Sequence, residues 1–88
     1  MLDTSARMAP LRHYLKLQHP RHTVLTLGFR QIEGIIGDGL PKLARKDPDW
    51  WANVASVEQA QSWLDAGWRV QTVDLPGEQV TLVHTSAP

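Results

Sequence analysis

The chain has 88 residues, 42% of them hydrophobic and 20% charged, which fits one folded domain and excludes both a second core and a disordered chain. Nine Lys and Arg balance nine Asp and Glu, so composition alone creates no field that draws in nucleic acid or anionic lipid. The absence of cysteine excludes a disulfide framework and thiolate metal sites.

Met8, Leu11 and Leu15 recur at helical spacing with Tyr14 beside them, and Pro10 suits a first helical turn, where its missing N–H costs nothing. A helix is predicted over 9–18 and ends at Pro20. Val24 to Leu27 is rich in strand-preferring residues and reads as a short strand. Phe29, Ile32, Ile35 and Ile36 form one apolar face of a second helix, with Gly28 as N-cap and Gly37 as the left-handed terminator. Pro41 starts a third, short helix that carries Leu43 and Ala44 inward and Lys42, Arg45 and Lys46 outward, and Pro48 closes it. Trp50 and Trp51 follow in an irregular stretch, and at least one of them is expected to be buried.

Ser56 and Gln59 have capping-box spacing ahead of a helix whose apolar face is Val57, Ala60, Trp63 and Leu64. Gly67 terminates it, and Trp63 and Trp68 are placed to touch across that ending. Trp68 to Leu75 and Gln79 to Thr85 are two strands around Pro76-Gly77, a type I or II turn in a loop wider than two residues. Ser86 to Pro88 is read as a frayed end. The ordered core is expected over about residues 8–85 of a single domain. The apolar runs are short and the N-terminus carries no apolar stretch, so neither export nor membrane spanning is predicted and a cytoplasmic location follows.

This order of helix, short strand, helices and C-terminal hairpin predicts an α+β fold, winged-helix-like, with an inserted Trp-rich segment. Unrelated small α+β folds share the order. The residues also carry a resemblance. Phe29-Arg30-Gln31-Ile32-Glu33, Leu40-Pro41, Trp50-Trp51-Ala52-Asn53 and Ala60 to Val70 resemble a small uncharacterised bacterial and phage domain family with the pattern F-x-x-I-E, L-P, W-W-x-N and A-x-x-W-L-x-A-G-W-x-V. Gly28 departs from the Ser or Thr expected before Phe29. The resemblance implies no activity, only a compact module found alone or beside nuclease-type and defence-type proteins.

No linear signature of catalysis is present, neither H-E-x-x-H, G-x-S-x-G nor a phosphate-binding loop, so a non-catalytic protein without cofactor or metal is expected. His19 and His22 have two-ligand spacing but read as solvated loop residues. Glu33 is expected to bond a backbone N–H or the tryptophan segment.

Charge is uneven. Met1 to His22 carries Arg7, Arg12, Lys16 and Arg21 against Asp3, whereas Ala55 to Pro88 carries Glu58, Asp65, Asp74 and Glu78 against Arg69. A nucleic-acid-associated or regulatory protein is the leading expectation. Arg30, Lys42, Arg45 and Lys46 would hold phosphates, Trp50 or Trp51 would stack on a base or fill an interface, and Asn53, Gln59 and Gln61 would make polar contacts. Glu58 and Asp65 oppose duplex binding by the helix that carries them. The rival expectation is a protein interaction or homodimerisation module.

Overall fold

In a computed structural model, the structure describes residues 4–18 and 23–85. It is a mixed α+β fold in the order α1 (Thr4–Lys16), β1 (Val24–Gly28), α2 (Phe29–Ile36), α3 (Lys42–Lys46), a 3-10 turn (Pro48–Trp51), α4 (Glu58–Leu64), β2 (Trp68–Asp74) and β3 (Gln79–His84). The strands form one antiparallel sheet in the order β1-β3-β2. Leu27, Trp68, Val70, Val80 and Leu82 alternate onto its buried face, as the two-residue side-chain period of a strand requires. Met8, Leu11 and Leu15 of α1, Phe29, Ile32 and Ile36 of α2, and Ala60 and Trp63 of α4 complete the same core.

Helix α2 runs as its residues predict. Gly28 is its N-cap and Gly37, at φ 71°, terminates it. Gly28 has no side chain to cap with, but Gln31 reaches back to accept the Gly28 N–H at 3.4 Å, the half of a capping box that glycine permits.

Several expectations are corrected. Helix α1 begins before residue 9, so Pro10 lies within it rather than in its first turn; Pro10 is exposed, and the carbonyl deprived of its N–H partner can bond water. The helix stops at Lys16, where Gln18 donates its amide to the Tyr14 carbonyl at 2.9 Å. Pro20, His19, His22 and the C-terminal Ser86 to Pro88 lie outside the described residues. Helix α4 starts at Glu58 with Val57 as N-cap and no side-chain cap, so Ser56 forms no capping box. Gln59 instead donates to the Trp50 carbonyl at 3.2 Å. The rings of Trp63 and Trp68 turn to different partners: Trp63 stacks on Trp51 at 5.7 Å and Trp68 meets His84 edge-on at 5.1 Å.

The hairpin loop runs from Leu75 to Glu78 and closes through the Glu78 N–H donated to the Leu75 carbonyl at 3.1 Å. Glu78 takes the left-handed conformation there, at φ 52°. One register shift between Val70 and Thr72 leaves Gln71 as a bulge in β2.

The two glycines of α2 test this local reading. Gly34 is exposed in the helix, and a Cβ there would meet nothing within 4 Å. Gly34→Ala should therefore stabilise the fold by about 0.5–1 kcal/mol, while Gly37→Ala, forced into a left-handed backbone, should cost about 1 kcal/mol. Urea denaturation of both variants beside the wild type checks the opposite signs.

Candidate functional site: the α3 cations and the tryptophan segment

Trp51 is 2% exposed and lies between two aromatic rings, Phe29 at 5.3 Å and Trp63 at 5.7 Å, both nearly parallel to it. Its indole N–H donates to the Ala44 carbonyl at 2.8 Å. Trp50 packs edge-on against Trp51 at 4.7 Å and stays half-buried. The pair is therefore not irregular. Asp47 caps the 3-10 turn by accepting the Asp49 N–H at 2.9 Å, with Pro48 in its first position. Trp51 is core and unavailable for stacking. Trp50 is the indole that keeps exposed surface.

Asn53 is committed to the fold. Its Nδ2 donates to the Val70 carbonyl at 2.8 Å, while its Oδ1 accepts the Val70 N–H at 2.8 Å and the Trp63 indole N–H at 3.0 Å. The side-chain amide thus pairs with β2 much as a neighbouring strand would. Gln61 donates to the Ala55 carbonyl at 3.0 Å, so both glutamines of α4 brace the segment before the helix. Asn53, Gln59 and Gln61, expected to make polar contacts with a ligand, thus each bond the backbone of this chain.

The cations divide into two groups. Arg45, expected to point outward, forms a bidentate pair with Glu33 through two bonds of 3.0 Å and donates its Nε to Glu78 at 3.1 Å. Its guanidinium lies 5.7 Å from the Phe29 ring centre. Glu33 also accepts the Leu40 N–H at 2.8 Å, the kind of backbone bond its position suggested. The Arg45 bonds, then the Leu40 N–H, hold the Glu33 carboxyl below its ordinary value of 4.5, with Arg30 adding a smaller attraction. The Glu33 bonds raise Arg45 in turn.

Arg30, Lys42 and Lys46 remain exposed, and among the described residues none of them forms an ion pair. Arg7 and Arg12 pair with Asp38 and Asp65. Leu43, expected inward, is 60% exposed, because a five-residue helix that buries Ala44 turns the preceding side chain away from the core.

Glu33 and Glu78 as partners of Arg45, and Asn53 as partner of Val70, are the residues that sequence reasoning missed. Opposite charge at 33 and 45 is visible in the sequence, but nothing there marks the separation as a contact. Among the described residues no three His, Asp or Glu gather to hold a metal ion, and no helix is long and apolar enough to cross a membrane.

These features define a small α+β domain organised around a tryptophan segment between two helices. The chain belongs to the family described as a domain of unknown function (DUF7662), which matches residues 9–86. No curated protein and no solved structure matches it.

Two substitutions test the site's chemistry. Asn53→Ala strands the Val70 and Trp63 N–H groups and should cost about 2–4 kcal/mol in urea denaturation, with Asn53→Asp, which keeps the acceptor, costing less. A carboxyl held below its unfolded value contributes stability that is present above that value and is lost as pH falls through the folded one. Glu33→Gln should therefore lower stability near pH 7 by about 1–2 kcal/mol, discounted for partial exposure, and flatten the acid-side loss below about pH 4.5. Denaturation midpoints across that range check both effects.

Proposed function

We propose that this domain is a non-catalytic, cytoplasmic binding protein of winged-helix-like connectivity, associating with nucleic acid through Arg30, Lys42 and Lys46. The observation that carries the reading is the distribution of ion pairs. Arg7, Arg12 and Arg45 are neutralised by carboxylates, whereas Lys42 and Lys46 stand one turn apart on α3, exposed and unpaired among the described residues. Cations so placed suit phosphates, and the half-exposed Trp50 can stack on an unpaired base.

The connectivity adds support: a helix, a strand, further helices and a hairpin, with the sheet ordered β1-β3-β2. A single strand fits better than a duplex. Helix α4, in the place of a recognition helix, exposes Glu58, whose charge opposes a phosphate backbone. A protein partner is the second reading, favoured by Leu43, an apolar side chain exposed between Lys42 and Lys46.

The test is tryptophan fluorescence during titration with single-stranded and duplex oligonucleotides at several salt concentrations. Three phosphate contacts predict a log–log salt slope of about −2 on single strands. The double variant Lys42→Ala, Lys46→Ala should weaken binding at least about tenfold and reduce that slope by more than half. A flat titration at low salt would exclude the nucleic-acid reading.

A further inference from the structure

The two edges of the sheet are treated differently. At the β2 edge, the Asn53 amide occupies both the N–H and the carbonyl of Val70, Gln71 bulges beside it, and Arg69 and Asp74 add exposed charge. Blocking groups, bulges and charges are the usual means of preventing edge-to-edge pairing. Among the described residues, none of them stands at Val24 or Thr26 on the β1 edge. Thr23 to Phe29 contains no charge, no proline and no bulge.

Its outward hydrogen-bonding groups follow from the register. His84 donates its N–H to the Thr23 carbonyl and Phe29 donates to the Glu78 carbonyl, each at 2.8 Å. In an antiparallel ladder the bonded residues alternate, so Thr23, Leu25, Leu27 and Phe29 direct their backbone groups toward β3. Val24 and Thr26 direct theirs away from it. Among the described residues β1 pairs only with β3. Gly28 is used locally, its N–H by Gln31 and its position by the cap of α2. Val24 is also 56% exposed.

We propose that this edge pairs with the β1 edge of a second copy of the chain, antiparallel about a two-fold axis at Leu25. In that register Val24 of each copy faces Thr26 of the other, and the two pairs exchange four backbone hydrogen bonds. The choice of a second copy rests on three points. An uncharged strand lies against itself without like charges meeting. Arg30, which follows β1, falls at opposite ends of the paired strands. One open edge and one blocked edge per copy close the assembly at two, as a six-stranded sheet, rather than propagating it. This inference is independent of the nucleic-acid reading, because it uses none of Arg30, Lys42 and Lys46 as contacts.

Sedimentation of the wild type from about 10 µM to 1 mM is the test, since a short edge contact corresponds to a dissociation constant within roughly that range. Thr26→Pro removes an outward N–H while leaving the β1–β3 backbone bonds in place, at the loss of the Thr26–Thr81 hydroxyl bond. Val24→Lys places like charge on the edge and covers the case in which the proline variant does not fold. Each should raise the dimer dissociation constant at least about tenfold with an unchanged circular dichroism spectrum. In a chain without other cysteines, Leu25→Cys should form an intermolecular disulfide faster than Arg69→Cys, because directly opposed residues of a non-bonded pair stand about 4.5 Å apart. A wild type that stays monomeric to the top of the range would leave the edge to an extended peptide of another protein and overturn the self-pairing. A dimer that survives in the folded variants would overturn it equally.

Discussion

The need to give each buried indole N–H an acceptor organises most of this domain. A buried donor left unpaired costs about as much as several ordinary contacts return, and three of the tryptophans are fully buried. Trp51 uses the Ala44 carbonyl, Trp63 the Asn53 side chain and Trp68 the Leu15 carbonyl. The first bond holds the 3-10 turn against the neighbouring α3, the second ties the segment before α4 to its last turn, and the third joins α1 to β2 across the chain. The stacked rings of Phe29, Trp51 and Trp63 then supply large apolar area, which a domain of this size needs because it buries a small share of its surface.

Arg45 performs the corresponding task for the polar side of the same cluster. Its guanidinium ties α3 to α2 through Glu33 and to the hairpin tip through Glu78, while lying beside the Phe29 ring. The Glu78 carbonyl accepts the Phe29 N–H, so the left-handed residue at the hairpin tip is tied to the start of α2 by its backbone and to α3 by its side chain. The consequence for function is one of charge. Four exposed cations expected on one surface become three, because the Arg with the best geometry for phosphate is held by two carboxylates. What remains on α3 is a pair of lysines around an exposed leucine.

The same economy of polar groups differentiates the sheet edges. The Asn53 amide satisfies the backbone of Val70 and in doing so closes the β2 edge, whereas Val24 and Thr26 on β1 have no equivalent partner among the described residues. A residue that reads as a recognition group in the sequence is thus part of the sheet's boundary. Assembly through β1 would leave α3 free for a second ligand.

Local chemistry was legible in the residues themselves. The strand at Val24, helix α2 between Gly28 and Gly37, the short α3, the burial of one of Trp50 and Trp51, and a hairpin loop wider than two residues all follow from side-chain period, caps and turn residues acting over a few positions. The main failures share one cause. Arg45 turned to Glu33 and Glu78, and Asn53 bonded β2, because each outcome depends on which distant element stands beside the residue. The sequence shows that a charge or an amide needs a partner, but many partners of the right kind are available along the chain. Tertiary packing chooses among them, since only it brings Glu33 to Arg45, Asn53 to Val70 and Leu15 to Trp68.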